Sequence, residues 1–432
     1  MKKASTEYIY KLFLQCPIIS KDTRNIPKNC IYFALKGDNF NGNDFATEAI
    51  EKGARYSIVD EMRSNHNEKC ILVDDCLKTL QDLAIIHRST LKIPVIGITG
   101  SNGKTTTKEL IREVISKKYN TLSTSGNFNN HIGVPLTILS IQKEHEFAII
   151  EMGANHVGEI EFLCRIAKPN YGLITNIGKA HLEGFGGIEG VKKGKSELYR
   201  FIESTDGFIF INNDDSILLS LCKSDKVFSY GISKGANLNG VLEKSEPNLE
   251  GSWKTNLNSG SFKSQLFGRY NFDNILAAIA VGNFFDVAPK EIDEAIERYK
   301  AEMNRSQLVK KENYQILLDA YNANPSSMKV AFENFEKFPA QNKMIVFGDM
   351  FELGSDSDLE HKKLVEVVLN SKDINGGIFV GKNFFKQKRE HDKFHFFETR
   401  ELASQFFKHF NKEKITFLIK GSRGMALEKM ID

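Results

Sequence analysis

The chain has 432 residues, 41% of them hydrophobic and 26% charged, the balance of a folded globular protein and not of a disordered or fibrous one. Its 58 basic and 55 acidic side chains leave a net charge of +3, too little for the field that nucleic acid or an anionic membrane surface requires, so small-molecule partners are expected. The length asks for several domains, each with its own core.

The six cysteines, Cys16, Cys30, Cys70, Cys76, Cys164 and Cys222, show no C-x-x-C spacing, so reduced thiols are expected and not a zinc or disulfide framework. Glu7 and Lys11 interrupt any apolar signal core after Lys2 and Lys3, and the longest apolar run, Ile275–Val281, is far short of a membrane span. A cytoplasmic protein is expected.

From about residue 20, short extended pieces ("CIYFAL", "CILVDD") alternate with helical ones, which predicts a small α/β domain over residues 1–92. Pro94 marks the boundary. Strands rich in Val, Ile and Phe then recur, "PVIGIT", "FAIIEMG", "YGLITNIG" and "GFIFIN", each leading into a helix-period segment. That pattern predicts a mostly parallel sheet covered on both faces, in a central domain over 93–301. Residues 240–268 read as a polar antiparallel meander, and "NFDNILAAIAVGNFF" as a closing helix. After Met303 the alternation restarts with "QILLDAY", "KMIVFGDM", "GGIFVG" and "ITFLIKGS", a third and smaller α/β domain over 302–432.

Chemistry gathers at strand ends. In "GITGSNGKTTTKEL" a strand passes through a glycine turn into a helix, but a Walker A loop would need glycine at position 98, which is Ile98. Gly100 and Gly103 let successive N–H groups face an anion at the helix start, Lys104 adds a mobile positive charge, and Thr105 can reach magnesium. An ordinary turn would not need Gly-Lys-Thr there. Glu151 ends the strand in "FAIIEMGANH", where it can hold a hard divalent cation or cap the next turn. His181 follows the next strand at the same sheet edge; alone, a histidine is more often a packed or solvent-facing residue. In "GVKKGKSELYRFI", read as one helix, Lys195 shares the buried face with Val191, Leu198 and Ile202, whereas Lys192 and Lys193 do not. Desolvation lowers the pKa of an inward lysine. The neutral amine can act as a nucleophile, react with carbon dioxide to give a metal-binding carbamate, or simply snorkel over its stem. Asn271 and Asn274 lie on one face of the closing helix, able to bind a base or to cap. Arg305 suits a γ-phosphate and Asp319 ribose hydroxyls, though each also suits a surface ion pair.

Together the stretches "SGNFNNHIGVPLTIL", "EMGANHVGEI", "NIGKAHLEGFGG", "DAYNANPSSM", "VFGDMFELG" and "IKGSRGMALEKM" resemble, in order, the Mur ligase family of ATP-dependent amide-forming enzymes. That family's loop has the form G-x-x-G-K-T/S, which "GSNGKT" matches. Where the diamino-acid-adding sibling carries Asp-Asn-Pro-Arg, this chain has "NANPSSM", so the resemblance is to the dipeptide-adding branch. It implies a three-domain α/β fold, a central P-loop domain with a mostly parallel sheet flanked by smaller N- and C-terminal α/β domains.

The implied substrates are ATP, UDP-N-acetylmuramoyl-tripeptide and D-alanyl-D-alanine, joined through an acyl phosphate into the pentapeptide precursor of peptidoglycan by a monomer. The resemblance further implies that Gly100, Ser101, Asn102, Gly103, Lys104, Thr105 and Thr106 bind the phosphates and that Thr105 and Glu151 hold one magnesium. His181 and a carbamylated Lys195 would help hold a second; Asn271 and Asn274 would meet adenine, Arg305 the γ-phosphate and Asp319 the ribose. Lys104, Lys195, His181 and Arg305 form the implied catalytic set. Thr23, Arg24, Lys36 and Asp44 would grip the uridine diphosphate end, where only fragments such as "DTRNIPKNCIYFALKG" match. Asn129 and Asn130 would follow the sugar-peptide, and Asn322, Asn324, Lys420, Ser422 and Arg423 the dipeptide. Two rivals remain: a folylpolyglutamate synthase, which needs no uridine-binding domain, and a nucleotide-driven switch, which has little need of a second metal site.

Overall fold

The computed structural model describes residues 3–63, 66–301, 305, 307–410 and 412–431. In the first region β1 (Ile19–Ser20) and β2 (Ile31–Phe33) are followed by a small hairpin, β3 (Lys36–Gly37) and β4 (Phe40–Asn41), then by β5 (Tyr56–Val59) and β6 (Cys70–Leu72). Strands β1, β2, β5 and β6 form a parallel sheet in that order. The helix Cys76–Thr90, capped by Asp75 through Lys78 N, packs across it and carries Gln81 towards the rest of the chain.

The central sheet is built from β7 (Val95–Thr99), β8 (Thr121–Ser123), β9 (Phe147–Glu151), β10 (Tyr171–Ile174), β11 (Phe208–Asn212), β12 (Val227–Gly231), β13 (Leu238–Lys244), β14 (Glu250–Lys254) and β15 (Ser259–Lys263). Their spatial order is β15-β14-β13-β12-β11-β10-β7-β9-β8, parallel from β8 to β13. Alternate residues of each strand enter different cores. Ile96, Ile98, Ile149, Leu173 and Phe210 face the helices Lys104–Ile115 and Tyr270–Phe284, while Val95, Ala148, Ile150, Ile174 and Ile209 face Ile160, Leu163, Leu198 and Ile202. Two buried faces leave no polar alternation, which is why these strands are continuous apolar runs.

The expected meander over 240–268 is the antiparallel β13–β15 portion, and it extends the central sheet instead of standing apart. The helix expected across "GVKKGKSELYRFI" divides at Ser196 into Ile188–Lys195 and Glu197–Ser204. Ser196 Oγ donates to Lys193 O at 3.1 Å, a side-chain bond that competes with the regular ladder.

The third sheet holds β16 (Gln307–Lys310), β17 (Gln315–Asp319), β18 (Lys343–Gly348), β19 (Gly376–Val380), β20 (Phe394–Phe397) and β21 (Thr416–Lys420), in the order β16-β17-β21-β18-β19-β20, parallel except for the β16 edge. Residue 302, where the third region was expected to start, and Met303 lie outside the described residues. Among the described residues the six cysteines are unpaired, five of them buried, and no helix is long and apolar enough to cross a membrane.

Candidate active site

Strand β7 lies between β9 and β10, so the loops leaving all three carboxyl ends converge. Gly100 has φ +142°, and a Cβ there would stand 2.0 Å from Thr175 Oγ1; Gly103 has φ +79°, with Asn274 Oδ1 2.7 Å from where its Cβ would be. Only glycine accommodates both the left-handed backbone and the close approach. The loop after β10 braces this turn from outside. Ser101 N donates to Asn176 O and Asn102 N to Asn176 Oδ1, each at 3.0 Å; Gly178 N donates to Ser101 Oγ at 2.9 Å and Thr175 Oγ1 to Asn102 O at 2.6 Å.

Lys104 folds back over the turn, donating to Gly100 O at 2.8 Å, and burial lowers its pKa against the pull of Glu151. Thr105 Oγ1 donates to Glu151 Oε2 at 2.8 Å and Asn129 Nδ2 to Glu151 Oε1 at 2.9 Å. A hydroxyl and a carboxylate held together beside this glycine turn are the hard oxygen donors that magnesium takes, so these residues fit that ion. On the other side a chain of amides bolts the closing helix to the loop helix: Thr107 Oγ1 donates to Asn274 Oδ1, Asn274 Nδ2 to Asn271 Oδ1, and Asn271 Nδ2 to Phe267 O.

Lys195 is 1% exposed, its Nζ donating to Ala154 O at 3.0 Å. Burial first, then the positive Lys104, push its pKa well below the ordinary lysine value, against Glu159 and Glu197. The inward orientation expected of it is therefore found, but it sits behind Ala154 and not in the cavity wall. His181 adopts φ +53°, and its Nδ1 pairs with Glu352 Oε2 from the loop after β18.

The third sheet supplies the facing wall. Asp319 and Lys420 end the neighbouring strands β17 and β21, and Lys420 Nζ meets Asp319 Oδ2 at 2.6 Å and Asn322 O at 3.0 Å. The Arg305 guanidinium lies 3.6 Å from the centre of the Tyr321 ring, and its buried Nε has no hydrogen-bond partner among the described residues. Asn324 caps the helix Pro325–Lys337 through Ser327 N, and its Nδ2 crosses to Asn102 Oδ1 at 2.8 Å.

These walls enclose a cavity of about 990 Å³. It gathers Ser101 to Thr106, Asn129, Asn130, Glu151, His181, Asn271, Asn274, Arg305, Asp319, Asn322, Asn324 and Lys420. Gly100 lies beneath. Ser422 is buried and accepts from Phe351 N, and Arg423 pairs with Glu428, so neither reaches the cavity. Thr23, Arg24, Lys36 and Asp44 also stay outside it: Arg24 pairs with Asp22, Lys36 with Asp60 and Glu61, Asp44 with Arg63, and Thr23 O accepts from Lys52. Sequence reasoning missed Gln81, Asn176 and Tyr321; Asn176 and Tyr321, each just past a strand end, had a local signal, and Gln81 had none.

Residues 98–282 match the Mur ligase middle domain and residues 304–423 the Mur ligase glutamate ligase domain. The UDP-N-acetylmuramoyl-tripeptide--D-alanyl-D-alanine ligase of Bacillus subtilis is 34% identical over 426 residues, 96% of this chain and 92% of that protein. MurF of Acinetobacter baumannii superposes with a TM-score of 0.85 at 30% identity, over 96% of this chain and 92% of that one. MurF ligase of Thermotoga maritima, solved in complex with ADP, gives 0.83 at 25% identity over 97% of each. Two family domains in sequence, and a likeness that runs along nearly the whole chain, establish that it belongs to the Mur ligase family.

Proposed function

We propose that the protein is an ATP-dependent carboxylate–amine ligase that joins D-alanyl-D-alanine to UDP-N-acetylmuramoyl-tripeptide, forming the pentapeptide precursor of peptidoglycan. The observation that carries this reading is the cavity in which a braced phosphate loop faces Arg305, whose buried Nε has no hydrogen-bond partner among the described residues. A buried, unsatisfied cationic donor opposite a phosphate loop suits a γ-phosphoryl group. The relatives named above give the acceptor and donor. A folylpolyglutamate synthase is disfavoured because the likeness to the Bacillus subtilis ligase covers 96% of the chain.

On this reading the loop from Gly100 to Thr106 holds the phosphates through the Lys104 ammonium and through N–H groups other than those of Ser101 and Asn102, which donate to Asn176, with Asn271 and Asn274 towards adenine and Asp319 towards ribose. Thr105 and Glu151 would hold one magnesium, which when bound neutralises phosphate charge; His181 and a carbamate on Lys195 would contribute to a second. The terminal carboxylate of the tripeptide attacks the γ-phosphorus, ADP leaves, and Arg305 and Lys104 stabilise charge on the transferring group by position and not by covalent chemistry. The amine of D-alanyl-D-alanine, with Asn322, Asn324 and Lys420 at hand, then attacks the carbonyl of the acyl phosphate. The tetrahedral intermediate expels phosphate and leaves the amide. Enclosure between the sheets keeps water from the acyl phosphate.

The domain roles in this proposal are uridine-diphosphate binding for residues 1–92, with Thr23, Arg24, Lys36 and Asp44 as its candidate contacts, ATP binding for 93–301 and dipeptide ligation for 302–432. Asn129 and Asn130 would run beside the sugar-peptide, and Ser422 and Arg423 would act through the loops they hold. A cytoplasmic monomer serving cell-wall growth and division completes the proposal. The test is phosphate release from ATP by purified protein with both other substrates, each omitted in turn. Release that is independent of D-alanyl-D-alanine overturns it.

A further inference from the structure

Residues 175–183 lead two lives. Thr175, Asn176 and Gly178 make the hydrogen bonds that brace Ser101 and Asn102 of the phosphate loop. A few residues on, the same segment is gripped by the third region. Lys179 Nζ lies 2.7 Å from Glu360 Oε1, whose side chain is only 10% exposed, and Lys179 N donates to Ser326 Oγ at 2.8 Å. His181 pairs with Glu352, and Glu183 N donates to Glu352 O at 3.3 Å.

The backbone on which each acid stands is itself held. Glu360 belongs to the helix Ser357–Leu369. Glu352 stands on a loop whose preceding amides are all held: Met350 N donates to His361 Nε2 at 3.0 Å, Phe351 N to Ser422 Oγ at 2.9 Å, and the Asp349 carboxylate accepts from Asn383 N and Phe384 N. His361 is fully buried and donates from Nδ1 to Ser357 O, which leaves Nε2 as the acceptor for Met350. Two acids on held backbone of one region thus meet Lys179 and His181 of a segment that otherwise serves the phosphate loop. Charge pairs between packed elements position more than they stabilise, since their net energy is small.

We propose that Glu352 and Glu360 are positioning residues: by pairing with His181 and Lys179 they clamp residues 175–183, and through that segment set the phosphate loop, so that its geometry is complete only when the third sheet is docked. The clamp acts within the proposed ligase reading, but its first test needs no substrate. In the full chain without ligand, hydrogen exchange of a peptide covering residues 99–104, which holds the Ser101 and Asn102 amides, is compared between wild type and Glu352→Gln/Glu360→Gln. Exchange there should rise about tenfold, together with that of residues 175–183, while β7 and β9 keep their protection. Faster exchange at 175–183 with the phosphate-loop amides unchanged, or no change in either, refutes the coupling.

The second test is turnover. Lys179→Glu should lower kcat about tenfold by placing like charges together, and Lys179→Glu/Glu360→Lys should restore it to within about threefold. Absence of rescue in a folded double variant overturns the pair's role. If wild type shows no dipeptide-dependent phosphate release, the ligase reading fails while the exchange result still decides the clamp.

Discussion

Replacing Gly100 with alanine tests the phosphate loop where its geometry is tightest. The φ of +142° is one that L-residues rarely adopt, and imposing it costs about 1–3 kcal/mol. The added Cβ would also stand 2.0 Å from Thr175 Oγ1 and 3.0 Å from Thr175 N. The hydroxyl can rotate away only by surrendering its 2.6 Å bond to Asn102 O, worth about 1 kcal/mol, and the backbone amide cannot rotate at all. Together these ask for about 3 kcal/mol or more, which the loop meets by distorting, so ADP affinity should fall about a hundredfold. Gly186→Ala is the matched control: φ is +70° and nothing lies within 4 Å, so only backbone strain of about 1 kcal/mol applies. Titration calorimetry with ADP, beside thermal midpoints of both variants, reads the difference. Thr175→Ala in the Gly100→Ala background should recover part of the loss, because the strain and the backbone contact remain. ADP binding by Gly100→Ala within about threefold of wild type refutes the reasoning.

Asp273, one residue before Asn274, has its pKa pushed up to about 6 by burial and by Asp214 and Asp215, against Arg269. A raised acid binds its proton more tightly when folded, so it costs nothing below the unfolded value of 3.8, and the cost grows to full size above pH 6. Asp273→Asn should therefore be more stable than wild type by about 1–3 kcal/mol at pH 7.5, the two converging near pH 4; an offset independent of pH would contradict this. Lys195→Ala should abolish turnover and regain part of it with added short carboxylic acids, and failure of that rescue counts against the carbamate. Asn324→Ala removes a helix cap and the bond to Asn102, so thermal unfolding should register about 1–2 kcal/mol of lost stability and kcat should fall; wild-type behaviour in both would show the amide idle.

The parts of the site that sequence made legible are those whose chemistry is local. "GSNGKT" between an apolar strand and a helix-period segment marks the candidate phosphate loop because glycines, lysine and threonine stand within one turn, and Glu151 at a strand's carboxyl end needs only the strand to be recognised. The burial of Lys195 was readable from the spacing of the apolar Val191, Leu198 and Ile202, although the break at Ser196 and its place behind Ala154 were not. The hidden parts are pairs made by tertiary folding. His181 and Glu352 are 171 positions apart, Lys179 and Glu360 are 181 apart, and Asn102 and Asn324 are 222 apart, and no periodicity links residues at such distances. Strands β16 and β20 escaped notice for a different reason. They lie at the edges of the third sheet and are four residues each; in β16 half-exposed and polar side chains dilute the apolar signal, and β20 is a short apolar run inside a charged stretch.

The order of strands in the third sheet bears on how the protein folds. Strand β21, its last in sequence, lies in the middle, hydrogen-bonded to β17 on one side and β18 on the other. The Asp319–Lys420 pair joins positions 101 apart, so a long loop must close before either residue finds its partner. Hairpins such as β16–β17 can form early, but the sheet cannot be knitted from them outward; its central seam waits on the most distant contact. One wall of the cavity is thereby expected to form only after that distant closure, which refolding followed by pulsed hydrogen exchange of β21 would check.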